Sequence, residues 1–138
     1  MFQSRDEVRQ VYLTVWHKLQ QKQLLEPMEA LIAAVIEIHP EYHALLEDSE
    51  AAAQTDFTPE QGQTNPFLHM GMHIALREQE DSNRPPGIQA IYQKLTARKG
   101  RHEAEHAMME CLGQVLWQAQ RNATEPDLPA YLDCLKKL

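Results

Sequence analysis

The sequence predicts an all-α fold, a compact antiparallel helical bundle with short extra helices, and three observations point to it. Apolar residues recur at three- and four-residue intervals through most of the chain. No segment shows sustained period-two alternation rich in β-branched residues. Only 5 glycines and 8 prolines punctuate 138 residues, of which 43% are hydrophobic, enough for a helical core that folds without staples. Domains usually hold roughly 100–200 residues, so a single helical domain over 1–138 is expected.

The elements follow in order. From Asp6 to about Gln23, Val8, Val11, Tyr12, Val15, Trp16 and Leu19 make one apolar stripe. Glu26-Pro27 opens a second helix, and Met28, Leu31, Ile32, Val35 and Ile36 carry it to His39. Pro40 disfavours helical geometry at His39 but suits a first turn, so PEYHALLEDSEAAA reads as a new helix after a bend. Thr55 to Thr64 is polar with Pro and Gly, the centre of a loop at about 52–65. Asn65-Pro66 then reads as N-cap and first residue of a helix that packs through Phe67, Leu68, Met72, Ala75 and Leu76, and Asp81-Ser-Asn-Arg-Pro-Pro ends it. A helix from about Gly87 to Arg98 carries Ile88, Ile91, Tyr92 and Leu95, with Gly100 closing it. The longest runs from about Arg101 to Arg121 through Met108, Met109, Leu112, Val115, Leu116 and Trp117. The last, about Pro126 to Lys136, buries Leu128, Tyr131, Leu132 and Leu135.

Charge narrows the function classes. A formal charge of −7 and a pI near 5.4 argue against nucleic acid and anionic membranes, whose phosphates are bound by clustered Lys and Arg. The N-terminus has no apolar stretch of signal-peptide length, and the best apolar run, Leu31 to Ile36, stops at Glu37. Cys111 and Cys134 form neither a CxxC nor a disulfide framework and read as structural thiols of a reducing, cytoplasmic compartment. No GxGxxG, P-loop or GxSxG occurs. A homodimer is compatible with a helical surface, and the sequence names no small-molecule substrate.

The histidines carry the functional signal. Six of the seven form i,i+4 pairs, namely His39 with His43, His69 with His73, and His102 with His106. Random placement would give about 0.3 such pairs by template counting, so the clustering calls for an explanation. Residues four apart on a helix project from one face one turn apart, close enough to bind one cation, and bundles build internal metal sites this way. His69, His73, His102 and His106 are the first-choice ligands. His39 and His43 are auxiliary, because Pro40 bends the chain between them and turns His39 toward a cap. Glu105 falls inside the apolar stripe of its helix, where a carboxylate needs a metal ion, an imidazolium or an Arg. Glu105 or Glu103 is therefore the candidate ligand or general base. Imidazole and carboxylate donors suit zinc, iron, nickel or manganese without selecting one.

His102-Glu103-Ala104-Glu105-His106 matches both HExxH and HxxEH, in which two histidines hold zinc and the glutamate acts on bound water. Those hydrolases also need a third ligand and a cleft. Glu103-x-x-His106 is half of a di-iron pattern, but a matching ExxH on a second helix is missing. Three readings stand open: a transition-metal-binding bundle, a non-enzymatic structural or adaptor protein with a buried histidine and glutamate network, and a metal-dependent hydrolase. His17 reads as structural, and Arg77, Glu78 and Glu80 as a solvated or intrahelical charge group. Met70, Met72, Met108 and Met109 read as adaptable core, Met109 sharing the histidine face.

The combination His39-Pro-Glu-Tyr-His43, Asn65-Pro-Phe-Leu-His-Met-Gly-Met-His73 and His102-Glu-Ala-Glu-His106, continued by Leu116-Trp-Gln-Ala-Gln-Arg121, resembles a small bacterial family known as a domain of unknown function. The likeness spans nearly the whole chain. It implies a bacterial, cytosolic origin and transfers no catalytic role. The layout of histidines on bundle helices is also similar, at the level of architecture, to DinB-like and haemerythrin-like metal-binding bundles, whose ligand spacings differ.

Overall fold

Eight α-helices and one 3-10 turn make up most of the described residues, 5–57 and 65–138 of the computed structural model, and no strand occurs among them. The fold is all-α. The backbone forms two compact units, Met1–Ile74 and Ala75–Leu138.

The first unit contains α1 (Arg5–Gln20), α2 (Pro27–Glu37), a 3-10 turn (Pro40–Tyr42), α3 (His43–Glu47), α4 (Ser49–Gln54) and the first half of α5 (Pro66–Ser82). Asp6 and Glu7 in the first turn of α1, and His17 and Lys18 in the last, complement the helix dipole. The predicted stripe is the packed face, with Tyr12 and Val15 buried and Val8, Val11, Trp16 and Leu19 packed at the edge of the same core. The helix stops three residues before Gln23 because Lys22 takes a left-handed φ of 56° and the Gln23 N–H turns back to the Lys18 carbonyl at 2.9 Å. Pro27 opens α2 as expected, within a capping box formed by Glu26 and Glu29. Lys18 donates to the Glu29 carboxylate at 2.7 Å and ties α1 to α2.

The single helix expected over residues 40–53 is instead three short pieces. Asp48, with φ −101° and ψ 91°, leaves helical geometry, and its carboxylate accepts the Ala51 N–H at 3.1 Å to cap α4. An Asp at that position competes with continuation of the helix and wins. Arg9, unremarked in the sequence, is buried on α1 and donates to the carbonyls of Ala52, Ala53 and Thr55 at 3.2, 3.3 and 2.7 Å. Its guanidinium also lies over the Phe67 ring, 4.9 Å from the centroid. Of the loop expected at about 52–65, residues 52–54 belong to α4, residues 55–57 are non-helical, and residues 58–64 lie outside the described ones.

The second unit holds the rest of α5, then α6 (Ile88–Lys99), α7 (Arg101–Asn122) and α8 (Leu128–Lys136). Gly100, at φ 85°, is the one residue between α6 and α7, and the two helices pack together. Asp127 accepts the Ala130 N–H at 3.1 Å and caps α8, which packs on α7. Ala104, Glu105, Met108, Met109, Cys111, Leu112, Val115 and Ala119 form the buried face of α7. Leu116, Trp117 and Leu128, expected to pack, are instead exposed, as is Leu68 on α5. Trp117 falls outside the buried stripe, and the Arg121 guanidinium covers its ring at 5.2 Å.

The cysteines overturn their sequence reading. Cys111 and Cys134 are disulfide-bonded, with Cα atoms 5.8 Å apart. Their separation of 23 residues hid the pairing, since only the return of α8 onto α7 brings them together. The step from free thiols to a reducing compartment therefore falls. No helix among the described residues is long and apolar enough to cross a membrane. Closing a loop of that length stabilises the folded state by about 3 kcal/mol in the chain-entropy account. Cys134→Ser should lower the urea-unfolding free energy by about that amount with little loss of helical circular dichroism; an unchanged midpoint would remove the disulfide from the account of stability.

Candidate metal centre

Three histidines meet in the first unit. His39 follows α2, and the tertiary amide of Pro40 keeps it out of the helix, at φ −124° and ψ 63°. Its side chain turns inward and is 1% exposed. Nδ1 lies 2.8 Å from the Val35 carbonyl. A carbonyl can only accept, so Nδ1 carries the proton and Nε2 carries the lone pair. Histidines that ligate metals are commonly oriented by such a second hydrogen bond. The Tyr42 ring stacks on His39 at 5.4 Å and 8°.

The other two stand one turn apart on α5. Asn65 caps this helix as expected, accepting the N–H groups of Phe67 and Leu68 at 3.0 and 3.2 Å. His69 is half-buried and His73 wholly buried. The His39 ring lies 5.1 Å from that of His69 and 4.7 Å from that of His73. Each of the three offers a ligand nitrogen, all within 4.8 Å of one another.

The Nε2 atoms of His69 and His73 are 3.3 Å apart. Two nitrogens bound to a tetrahedral zinc at roughly 2.0–2.1 Å stand about 3.3–3.4 Å from each other. The pair thus has the separation of two ligands on one ion, and equally that of a long imidazole-to-imidazole hydrogen bond. His43 is turned elsewhere: its Nε2 bonds the Ile36 carbonyl at 2.9 Å, and its ring packs on Trp16 at 4.7 Å. The bend at Pro40 separates it from His39, although both are four apart in sequence.

In the second unit His102 and His106 face each other on α7 with ring centroids 4.2 Å apart. Glu103 is exposed and lines a shallow depression with Lys99, His106, Ala107 and Glu110. Glu105 is fully buried. Arg77 grips both of its oxygens, Nε to Oε2 at 2.9 Å and Nη2 to Oε1 at 3.3 Å. The Tyr92 hydroxyl donates to Oε2, and Arg101 Nε in turn donates to the Tyr92 oxygen at 2.8 Å. Of the partners the sequence allows for Glu105, an arginine is one that it has. Arg77 is accordingly no solvated charge but a buried one. Its signal was present, because it stands at i+4 from His73 and continues the inward face of α5.

The match to known proteins decides the family. A family model for a domain of unknown function, DUF1841, covers residues 4–137. The chain belongs to the DUF1841 family. No curated protein and no solved structure matches it. For this DUF1841 member, function therefore rests on the residues themselves.

Burial, and then the bond to Glu105, push the Tyr92 phenol up to about 12. An unfolded tyrosine ionises near pH 10. Between those values the folded state holds a proton that the unfolded state has lost, so this contribution to stability is complete below pH 10 and disappears as pH rises toward 12. Urea midpoints measured from pH 8 to 12 should fall above pH 10, and less steeply in Tyr92→Phe. Removing Arg77 strands a buried carboxylate, and Arg77→Met should cost about 3–5 kcal/mol, read by thermal unfolding, with Arg77→Met/Glu105→Leu recovering most of it.

Proposed function

We propose that this DUF1841 protein binds a divalent transition metal ion through His39, His69 and His73. The 3.3 Å separation of the His69 and His73 Nε2 atoms carries the reading, and the Val35 carbonyl, which sets the His39 tautomer, supports it. His102 and His106 pack against each other on α7 of the second unit. Glu105, held by a guanidinium, serves as support rather than as a base. Glu103 remains the solvent-facing carboxylate that a hydrolytic role would use. Zinc, iron and nickel suit nitrogen donors better than manganese does.

A second reading draws on the Glu105, Arg77 and Tyr92 network, which is built as structural cores are built. In it the protein is a non-enzymatic scaffold, and His69 shares a proton with His73. Metal content separates the two readings. Protein purified without chelator should contain about one equivalent of a single transition metal per chain by the proposed stoichiometry. His69→Ala and His73→Ala should lose it while remaining helical, and His43→Ala, altered at a packing residue, should keep it. A metal content near zero after incubation with zinc, iron, nickel and manganese would sink the metal reading in favour of the scaffold.

A further inference from the structure

The second unit carries a cavity that owes nothing to the metal reading. It lies between α6 and α8, holds about 310 Å³ and is lined by Ile91, Lys94, Leu95, Arg98, Leu135, Lys136 and Leu138. Leu95 and Leu135 are buried, Ile91 and Leu138 are half-buried, and the three cations are exposed. Ile91, Lys94, Leu95 and Arg98 follow the i, i+3, i+4, i+7 spacing, so a single face of α6 brings both apolar and basic groups to the cavity.

Arg98 and Lys136 stand in the last turns of α6 and α8, where cations complement the carbonyl ends of the helices. Lys94 has no such reason for its place. It precedes Arg98 by one turn, and like charges at that spacing destabilise a helix. Among the described residues, no Asp or Glu side chain pairs with Lys94, Arg98 or Lys136. In a chain of net charge −7, these cations gather beside apolar side chains without a carboxylate to match them. Such a place suits an anion that also has an apolar part. Arg98 indicates which anion, since its Nη1 donates to the main-chain oxygen of Leu138 at 3.4 Å while Leu138 lines the cavity. An oxygen acceptor attached to a short apolar group is thus the chemistry already met there. The volume stands at the low end of the roughly 300–1,000 Å³ of small-molecule sites and sets the ligand's size at a short chain or a ring.

We propose that this cavity binds a small amphipathic carboxylate, with its apolar chain against Leu95 and Leu135 and its carboxylate held by Arg98, Lys94 and Lys136. The guanidinium supplies charge-assisted hydrogen bonds, and each methylene withdrawn from water adds to the affinity.

The test titrates the full chain, methyl-labelled for two-dimensional NMR, with sodium octanoate in low-salt buffer. Octanamide, acetate and inorganic phosphate serve as comparison probes. Octanoate should move the Ile91 and Leu95 methyl signals, saturate at one site per chain and bind at least about tenfold more tightly than each comparison probe, which lacks either the charge or the apolar chain. Arg98→Gln and Lys136→Gln, at exposed positions, should each weaken octanoate by about threefold or more, and Lys22→Gln, exposed in the first unit, should leave it unchanged. Octanamide binding as well as octanoate, or octanoate indifferent to both substitutions, would overturn the proposal. Phosphate matching octanoate would overturn it too, by marking a general cationic patch, as would methyl signals that stay still at millimolar octanoate.

Discussion

The bond from His39 Nδ1 to the Val35 carbonyl sets the terms for the first unit's candidate site. A helix end leaves carbonyls without intrahelical partners, and here a side chain that the helix has just released turns back to satisfy one of them. Pro40 makes this possible by keeping His39 out of helical geometry. The same bond decides which ring nitrogen carries the proton, and so which one can donate to a cation. Helix termination, hydrogen-bond satisfaction and ligand chemistry are thus settled by one contact. The i,i+4 spacing of His69 and His73 then needs only an ordinary helix, capped by Asn65, to bring two further nitrogens into reach.

The second unit solves a different problem. Glu105 lies on the buried face of α7, where an isolated carboxylate would be untenable. Arg77 supplies the charge, Tyr92 a neutral donor, and Arg101 supports Tyr92 from the exposed side. The network ties α5, α6 and α7 through directional bonds, whereas apolar contacts alone would tolerate sliding. Buried ion pairs are weak evidence for net stability, because their desolvation offsets much of their attraction. Their geometry nonetheless specifies which turn of one helix faces which turn of another. The disulfide between Cys111 and Cys134 does the corresponding work between α7 and α8.

The helical class, and most helix starts, were legible in the sequence because they are local. Apolar spacing, Pro27, the Asn65-Pro66 cap and Gly100 act within a turn or two of themselves. The structure departs from the apolar period where a competing local interaction wins, as at Asp48, whose side chain breaks the helix expected across it. It departs too where the period runs past the buried face of a helix, as at Leu116 and Trp117. Arg9 escaped notice because its partners are carbonyls some 43 to 46 positions away.

By itself the sequence determined an all-α chain with histidines paired at one-turn spacing and a carboxylate set among apolar residues, since each of these depends only on neighbours along a helix. Which histidines keep company was a matter for tertiary structure. His39 and His43 share a spacing but not a site, because a backbone bend redirects one ring to α5 and the other to Trp16. Tertiary structure alone also paired Glu105 with Arg77 and joined Cys111 to Cys134, across separations of 28 and 23 residues. Contacts of that range form only when helices fold back on one another, and no period in the sequence encodes the turn at which they meet.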